Sequence, residues 1–579
     1  MPSRRRSSAT PRYDPLPRSS TDSLSSPSSS TEEFKDKPLP RRPRRYSFLL
    51  RKTWRYISRF CRPLYICIFL SLLLAWQLLF NASYPDSSAP KYEINKEERV
   101  FIAANIIDGD LIRGAWGRSL LELVERIGKE RVFVSIYGGP TDALRDLDAM
   151  LECEKRVVSE EENRIDLGSV KRTRLPTGES RIKRIAFLAE VRNKVLEPLS
   201  DGSAWKAMSG KGLGDLVGLG KKGFEKVLFI NDVYFDAEGA TRLLWGTNVD
   251  ADGKAGVYKA VCAADFVTSW KYYDTFATRD AEGYSIGVPL FPWFSAEGDA
   301  ATRNDVLAGK DAVRVKSCWG GMVAFDGRYF QAGNIPELES VSAEQHKEPQ
   351  NSSKGNGNKV DGVGVPELPL KFRSEPEPFW DSSECCLIHA DIMSLPSFPP
   401  LSSSAASKEK EEDKYDTGIY MNPYARTAYS PSAHRHIWLV KRFERIFSPI
   451  QRILNYFASM PRFNYRRAEK EGQLVKDQLW ISVHSNMTEE QSVDEATGHG
   501  HDSDLGDEDG TWQGMEKRAT LGHAKGKEYW ANEGYYVEFN RTAKRGGYCG
   551  VRQLLVLKEG AQEGGNWDNL LDKVPPVDV

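Results

Sequence analysis

Strand and helix patterns alternate from residue 100 onward, and this alternation limits the fold more than any other feature of the sequence. Residues 100–105 form a short apolar run, the apolar residues that follow recur at helical spacing as far as Ile127, and residues 131–137 form a second run. Two more helical patterns precede a further strand at residues 226–230. Repeated βα units predict a mostly parallel, Rossmann-like sheet covered by helices, which is an α/β fold.

A carboxylate stands directly after the strand at residues 226–230. Asn231 and Asp232 interrupt the apolar run in KVLFINDVYFD. Ligands of open parallel sheets bind outside the carboxyl ends of the strands, so an aspartate in this position is well placed to hold one. A polar turn without any binding role is the alternative. Aspartate pairs of the form DxD carry little meaning by themselves, because they recur along the chain, for example at Asp108 and Asp110.

Residues 64–80 form an uncharged apolar run of 17 residues, near the lower limit for a helix that spans a bilayer. A cleaved signal peptide and a buried core helix are the alternatives, but the run begins too late for a signal peptide and lacks a small-residue cleavage site. Its upstream flank is basic and its downstream flank is not, so the positive-inside rule predicts a cytosolic amino end and a lumenal body. We therefore predict a single transmembrane anchor at residues 63–80.

The anchor divides the chain into regions. We expect residues 1–62 to form a basic cytosolic tail, disordered where serine, proline and arginine dominate, and residues 81–98 to form a short lumenal stem. Residues 99–430 are predicted to form the α/β domain, which residues 431–579 complete. After Arg435 a helical apolar pattern with a basic face is predicted either to pack on the core or to lie near the membrane. Polar or low-complexity stretches predict surface insertions at residues 201–223, 337–370, 399–414 and 485–512.

Charge and cysteine content exclude some classes of function. With 80 basic and 81 acidic residues the net charge is −1, which provides no global field for nucleic acid or for an acidic partner. The cysteines beyond the anchor form no CxxC pair, so disulfides in an oxidising lumen are favoured over a zinc–thiolate site.

The short length of the anchor favours the thin Golgi membrane. Acceptor sequons for N-glycans agree with a lumenal body and occur at Asn81, Asn351, Asn486 and Asn540.

Nine segments of the chain, taken in order and spacing, resemble the fungal capsule-associated glycosyltransferase family typified by cryptococcal α-1,3-mannosyltransferase. The resemblance runs from about residue 100 to residue 557. The segments are FIAANIIDGDLI, VFVSIYGGPTDALRDL, RIAFLAEVRNKVLEPL, VLFINDVYF, AADFVTSWKYYDTFATRD, SCWGGMVAF, SECCLIHAD, NPYARTAY and GGYCGVRQLLVL.

This resemblance implies an A-type glycosyltransferase fold behind a transmembrane helix, and therefore a type II membrane enzyme of the Golgi. It implies transfer of mannose from GDP-mannose to a mannose-containing glycan, in α-1,3 linkage with retention of configuration, helped by Mn²⁺ or Mg²⁺. The product would be a cell-wall or capsule polysaccharide or a glycoconjugate, made alone or in a Golgi glycosyltransferase complex. Two alternatives stay open, namely a transferase that uses another nucleotide sugar and a non-catalytic glycan-binding subunit of a mannosyltransferase complex.

The resemblance also implies roles for individual residues. Asp232, Glu384 and Asp391 are expected to be catalytic, and Asp232 and His389 are expected to bind the metal. The residues expected to bind the nucleotide sugar are Asn105, Arg192, Asn193 and Asn231. For Asn105 the alternative role is a helix cap. For Arg192 and Asn193 the alternative is a place on a solvated helix face.

A second group of residues is expected to bind the acceptor or to stabilise the fold. Trp319, Gly320 and Gly321 are expected to form an acceptor platform, with core packing as the alternative for the tryptophan. The expected disulfide cysteines are Cys318, Cys385 and Cys549. A further polar group is expected to be structural rather than catalytic and consists of Asp265, Asp274, Arg279 and Asp280.

Overall fold

The computed structural model describes residues 45–175, 179–209, 223–249, 258–331, 364–397, 413–482, 534–558 and 567–570. The chain divides into two compact units, one ending at Leu72 and the other beginning at Leu73. Every described strand belongs to the second unit. The predicted insertions fall largely outside the described residues, but the first of them contains a helix, Ser203–Ser209.

Helices and strands alternate along the body. In the described part of the chain the α-helices are α1 (Arg45–Phe80), α2 (Gly109–Arg113), α3 (Ala115–Ile127), α4 (Thr141–Met150), α5 (Arg184–Ser200), α6 (Ser203–Ser209), α7 (Ala237–Trp245), α8 (Ala301–Ala308), α9 (Glu384–Met393), α10 (Pro431–Val440) and α11 (Glu444–Phe457). The strands are β1 (Val100–Ile106), β2 (Val132–Gly138), β3 (Glu154–Ser159), β4 (Arg172–Arg174), β5 (Ser180–Ile182), β6 (Lys226–Ile230), β7 (Ala260–Thr268), β8 (Lys271–Tyr272), β9 (Arg279–Asp280), β10 (Val313–Ser317), β11 (Met322–Asp326), β12 (Trp380–Ser382), β13 (Ile419–Ala428), β14 (Leu474–Ser482), β15 (Gly534–Thr542), β16 (Gly550–Arg552), β17 (Leu555–Leu557) and β18 (Trp567–Asn569).

The first helix contains the candidate membrane segment. α1 begins at Arg45, so the last part of the predicted disordered tail is helical. Within the described residues, Pro63–Phe80 is the one stretch long and apolar enough to cross a membrane, judged by length and composition alone. The predicted stem is not a free spacer, because Ser83 and Tyr84 are buried and the Tyr84 hydroxyl donates a hydrogen bond of 3.0 Å to the Val306 carbonyl. The packed body therefore begins within a few residues of the helix end.

One large sheet organises the body. Its strand order is β3-β2-β1-β6-β11-β7-β13-β10-β9, and β8 pairs with β7. β1 pairs in parallel with β2 and β6, as does β7 with β13, whereas β11 runs antiparallel between β6 and β7. All strands of this sheet except β8, β10 and β11 therefore run in one direction. The prediction of a mostly parallel sheet in an α/β fold is confirmed.

Both faces of this sheet are buried. On β1, Phe101 and Ala103 enter one apolar core, while Val100, Ile102 and Ala104 enter a second core on the opposite face. Helices α5 and α9 cover the first face, and α3, α4 and α7 cover the second. Burial on both sides explains why the central strands are continuous apolar runs in the sequence instead of alternating patterns.

Two disulfides join distant parts of the body. Cys262 pairs with Cys318, and Cys386 pairs with Cys549. Two of the expected disulfide cysteines are therefore bonded, but the expectation for Cys385 is wrong, because its thiol is free and buried. Successive residues of a helix point about 100° apart, so only one member of the Cys385–Cys386 pair can face the C-terminal cysteine.

Replacing Cys386 by Ser should lower the melting temperature by several degrees, whereas Cys385→Ser should change it little. The lost disulfide closes a loop with a sequence separation of 163 residues. Loops of that size are worth about 5 kcal/mol in the chain-entropy model. Thermal unfolding and peptide mapping without reduction test this directly. A cross-link between peptides containing Cys385 and Cys549 in the wild type would contradict the assignment.

Candidate functional site

The carboxyl ends of β1 and β6 form the edge at which the candidate residues meet. The two strands are parallel neighbours whose mutual pairing ends with Ala104 opposite Ile230. The next residues are Asn105, which still pairs with β2, and Asn231, which follows the end of β6. The backbone of Asn231 is held on both sides. Its amide donates to the Gly321 carbonyl at 2.9 Å, and its carbonyl accepts from the Val233 amide and from the Trp116 indole at the same distance. The chain is thus fixed where Asp232 projects from it.

Asp232 is the half-buried carboxylate of this edge. Among the described residues no other side chain or amide donates a hydrogen bond to it. Burial raises its pKa above the ordinary value, the charge of Asp108 adds to the rise, and the charge of Arg192 opposes it. A carboxylate that is partly desolvated yet not paired is available to a ligand.

Asp108 is the acidic neighbour that sequence reasoning did not select. It follows β1 and caps α2, where its Oδ1 accepts a hydrogen bond of 2.9 Å from the Leu111 amide. Its side chain is exposed and its charge acts on Asp232. The signal was present in the sequence, since Asp108 follows the first strand as Asp232 follows β6, but the DxD pattern around it gave no reason to prefer it.

Arg192 is a buried guanidinium that joins three elements behind this edge. Its Nε donates to Glu384 Oε1 at 3.0 Å, and its Nη1 lies 3.4 Å from Asn231 Oδ1. The guanidinium stacks over the Trp319 ring at 4.2 Å. These contacts connect α5 to the end of β6 and to the start of α9, and they exclude the alternative of a solvated helix face. Arg192, Asn231 and Glu384 are therefore brought together, while donor binding by the first two and a catalytic role for Glu384 stay predictions.

A buried acid and two tyrosines flank the edge. Asp265 is buried, and its pKa is raised well above the ordinary value by burial and by the charge of Asp274. The Tyr429 hydroxyl donates to Asp265 Oδ2 at 3.3 Å, and the Tyr429 ring lies 4.2 Å from the Tyr273 ring. Burial raises the pKa of both tyrosines, and the charge of Asp232 adds to the rise. The pair lies near that carboxylate, because Tyr234 bonds through its amide to the carbonyl of Ala428, the residue before Tyr429, at 2.7 Å. The tyrosine pair carried no local sequence signal.

The rest of the polar group around Asp265 is structural, as expected. Asp274 accepts hydrogen bonds from the amides of Ala277 and Trp319, both at 2.9 Å. Arg279 is buried, and within the described ranges its donors bond to backbone carbonyls, including that of Tyr548 at 2.7 Å. The carboxylate of Asp280 accepts from the backbone of the turn that follows it.

The expected acceptor platform is not exposed. Trp319 is 4 % exposed, and its ring packs on Phe229 and Phe372 besides stacking on Arg192. Gly320 and Gly321 are buried as well. The expectation of acceptor binding at these residues is wrong for a physical reason, since side chains that fill the core beneath the edge leave no surface for a sugar. The alternative of core packing holds for the tryptophan.

His389 and Asp391 also lie away from the edge. His389 is fully buried, its Nδ1 lies 2.6 Å from the Cys385 carbonyl oxygen, and burial lowers its pKa to about 4. Asp391 accepts two hydrogen bonds from Arg373, at 2.9 and 3.1 Å, and faces Arg545 at 3.3 Å. The structure does not support the expected metal-binding role of the histidine or the expected catalytic role of this aspartate, because the first is a core ring and the second a saturated ion pair.

Asn105 and Asn193 hold α5 against the body. The amide of Asn105 donates to the Val191 carbonyl at 3.1 Å, while its Oδ1 is buried without a partner among the described residues. Asn193 donates to the Phe372 carbonyl at 2.9 Å and accepts from the Phe372 amide at 2.8 Å. Both side chains therefore have structural contacts, and nucleotide binding by them stays a prediction.

The predicted glycosylation sites are placed only in part. Asn81 lies just past α1, and its amide donates to Gln77 Oε1 at 2.7 Å. Asn540 is exposed on β15. Asn351 and Asn486 lie outside the described residues. Occupancy of all four sequons stays a prediction.

The acidic residues of the edge limit what cation the site could hold. No group of three or more His, Cys, Asp or Glu side chains within the described ranges is arranged to hold a metal ion. Asp232 and Asp108 supply two carboxylates. Such a pair fits an Mg²⁺- or Mn²⁺-type ion whose other ligands are phosphate oxygens of a substrate and water, and it does not fit a cation held by protein alone.

Gly320→Ala should destabilise the protein far more than Gly309→Ala. Both glycines have positive φ, +62° and +75°, so both variants share the cost of a left-handed alanine, about 1–2 kcal/mol. Only at Gly320 would the new Cβ meet backbone, 1.8 Å from the Ala263 carbonyl oxygen, whereas nothing lies within 4 Å at Gly309. Melting temperatures of the two variants measure the difference. Equal decreases in melting temperature for the two variants would mean that the loop containing Gly320 is not packed against Ala263 as described.

Two comparisons with known proteins gave matches, one to a solved structure and one to a family model. A search of the solved structures matches the mannosyltransferase PcManGT from Pyrobaculum calidifontis in complex with GDP-Man and Mn2+, at 12% identity, covering 70% of this chain and 80% of that chain. The TM-score of 0.26 is too low for that likeness to support any conclusion. No curated protein matches the chain. The family model described as Cryptococcal mannosyltransferase 1 matches residues 99–391, a span that contains β1, β6, Arg192 and Glu384. Because this span is more than half of the 579 residues, the chain belongs to the cryptococcal mannosyltransferase 1 family.

Proposed function

We propose that this protein is a retaining α-1,3-mannosyltransferase that moves mannose from GDP-mannose to a mannose-containing glycan. Membership of a mannosyltransferase family supports the sugar and the reaction class. The observation that carries the proposal is the unpaired carboxylate of Asp232 at the carboxyl edge of β6, directly beside a buried arginine. An A-type glycosyltransferase fold is part of the proposal and is supported by the mixed α/β sheet with its site at the strand ends.

Asp232 and Asp108 would face the diphosphate of the donor. Two carboxylates repel an anionic leaving group unless a divalent cation stands between them, and this pair can supply the protein's share of its ligands. When bound, the cation would neutralise negative charge on the departing diphosphate. Burial raises the pKa of Asp232, and the nearby charge of Arg192 opposes that rise.

Arg192 orients the donor in this proposal. Its Nε and Nη1 are occupied by Glu384 and Asn231, and the stack on Trp319 fixes the plane of the guanidinium. Nη2 makes no hydrogen bond to any described residue, which leaves its two N–H groups for an anionic or ribose oxygen. Glu384 is then a positioning residue that acts through Arg192, rather than the nucleophile or the general base.

The reaction breaks the bond between the anomeric carbon and the β-phosphate oxygen and forms a bond from that carbon to the acceptor hydroxyl on the same face. GDP leaves, and the hydroxyl proton must pass to a base. A front-face route and a covalent route through an enzyme carboxylate both give retention. Asp232 is the described carboxylate at the edge that is free of protein hydrogen-bond donors, so it is the residue to test in either route.

Location in the Golgi membrane, with the body in the lumen, belongs to the same proposal. The apolar length of Pro63–Phe80 and the basic residues upstream of it support a single span with the amino end in the cytosol. The two disulfides support an oxidising compartment for the body. Association with other Golgi glycosyltransferases is proposed on the family resemblance alone.

A donor panel tests the reaction and its alternatives. The full chain in detergent or proteoliposomes is incubated with an α-mannobiose acceptor, Mn²⁺ and one nucleotide sugar at a time, and the products are separated by mass. We expect extension only from GDP-mannose, lost on addition of a chelator and restored by excess Mn²⁺. Transfer of xylose or glucuronate would favour another donor, and glycan binding without turnover from any donor would favour the non-catalytic subunit.

Asp232→Asn should lower kcat for mannose transfer by about 10²–10³-fold, the loss expected when an electrostatic stabiliser of the leaving group is removed. Asp236→Asn is a matched control, because Asp236 is exposed four residues later and caps α7 through Oδ1, a bond that asparagine also makes. The control should retain nearly full activity. An Asp232→Asn enzyme with unchanged kcat and unchanged response to chelator would overturn the role assigned to this carboxylate.

A further inference from the structure

Helix α11 is amphipathic with its faces reversed. The side buried against the body carries Glu444, Gln451 and Asn455, all nearly inaccessible. The opposite, exposed side is apolar, with Ile453 58 % and Phe457 78 % exposed. A surface helix of a globular protein normally shows the opposite arrangement, with its apolar stripe toward the core. The exposed stripe of α11 therefore needs a partner that the body does not provide.

The polar side of α11 is bound by specific partners. Glu444 forms two hydrogen bonds with the buried Arg426, at 2.7 and 3.0 Å. Gln451 accepts from Arg303 at 2.5 Å and donates to the Trp293 carbonyl at 3.0 Å. The helix cannot rotate to hide its apolar side without leaving a buried arginine and a buried carboxylate unpaired. The outward orientation of the apolar side is thus specified by the body.

The apolar surface extends beyond the helix on both sides. Trp438 on α10 and Phe463 after α11 are exposed as well. We define the apolar face by its principal members, which are Trp438, Ile446, Ile450, Ile453, Phe457 and Phe463. Scattered exposed apolar residues are normal, but a set concentrated on one helix face and its flanks marks a binding surface.

The apolar face begins where the candidate membrane segment ends. Gln77, in the last turn of α1, donates to the Arg442 carbonyl at 3.1 Å, and Arg442 Nη1 donates to the Leu78 carbonyl at 2.7 Å. Leu79 and Phe80, which follow in α1, are exposed apolar side chains. The end of α1, which belongs to the second unit, and the α10–α11 segment are therefore joined by hydrogen bonds, so a membrane that reaches Leu79 and Phe80 also lies close to α10–α11.

The charges around the apolar face favour anionic lipid. Residues 431–463 contain five arginines and one lysine, namely Arg435, Lys441, Arg442, Arg445, Arg452 and Arg462. Their one acidic residue, Glu444, is buried and paired with Arg426. A basic amphipathic helix with aromatic side chains on its apolar side is typical of segments that lie in the plane of a membrane interface.

We infer that the apolar face of α10 and α11 is embedded in the headgroup region of an anionic bilayer, the same membrane that holds α1. The inference rests on the membrane anchoring included in the proposed function, but not on the mannosyl transfer. Two attachments, the span and the interfacial helix, would fix the orientation of the sheet relative to the membrane. The acceptor would then have to approach the edge at Asp232 from a restricted direction.

Site-specific photocrosslinking of the full chain tests the inference. Benzoylphenylalanine replaces Ile453 or Phe457, and the protein is reconstituted in vesicles of phosphatidylcholine with or without phosphatidylserine. Phe69 in α1 reports the span. Met150 is the control, since it is 49 % exposed at the end of α4, beside the edge strand β3 at the far end of the sheet order. Lipid adducts are measured by mass spectrometry of the peptides.

We expect lipid adducts at positions 453, 457 and 69, none at 150, and a severalfold higher yield at 453 and 457 with phosphatidylserine. Adducts at 69 without adducts at 453 and 457 would overturn the inference, and so would a protein–protein adduct at 453, which would mean that a second copy covers the face. Absence of lipid at 69, 453 and 457 would refute the anchoring too. Mannosyl transfer is assayed on the same samples, so failure of the proposed reaction is recognised separately.

Discussion

The buried guanidinium of Arg192 is the interaction on which the candidate site depends. It lies between Glu384 at the start of α9, Asn231 at the end of β6 and the ring of Trp319, three elements that are distant in sequence. A buried arginine must be paired and stacked to offset its desolvation, so each partner constrains the others. Removing one of them would leave a charge uncompensated and would disturb the strand end from which Asp232 projects.

The same arrangement separates residues that build the site from the residue that is open to a ligand. Asn231, Trp319 and Glu384 are all engaged by Arg192, and the loop beneath the edge is packed against backbone at Gly320. Among the described residues at the end of β6, Asp232 alone keeps a half-buried carboxylate to which no other described residue donates a hydrogen bond. The family match covers residues 99–391 and thus contains this entire network, whereas Tyr429, on the flank of the site, lies beyond it.

Sequence reasoning succeeded where a signal was local. The continuous apolar runs predicted β1, β2 and β6, and the aspartate after β6 was correctly placed at the carboxyl edge of a mostly parallel sheet. It failed where the outcome depended on burial or on helix phase. An aromatic residue followed by two glycines suggests a sugar platform and a packed turn equally, and only the structure shows that Trp319 is buried.

The errors on α9 and the missed orientation of α11 share one cause, because the sequence does not show which side of a helix faces the body. Within SECCLIHAD the spacing alone does not reveal which side faces the site, and Glu384 faces Arg192 while His389 enters the core. Cys385 and Cys386 differ by one helical step, and the second of them forms the disulfide. For α11 the sequence predicted an amphipathic helix, but not that its polar side would be the buried one, because that choice depends on the distant Arg303 and Arg426.

The central claim is that a nucleoside diphosphate binds at the carboxyl edge between β1 and β6. Amide hydrogen exchange of the full chain, measured with and without GDP in the presence of Mn²⁺, tests it most directly. We predict slower exchange in the segments that follow the two strands, residues 105–113 and 231–237, and no slowing there in Asp232→Asn. Protection confined to other regions, such as the paired strands β14 and β15, with unchanged exchange at both strand ends, would contradict the account.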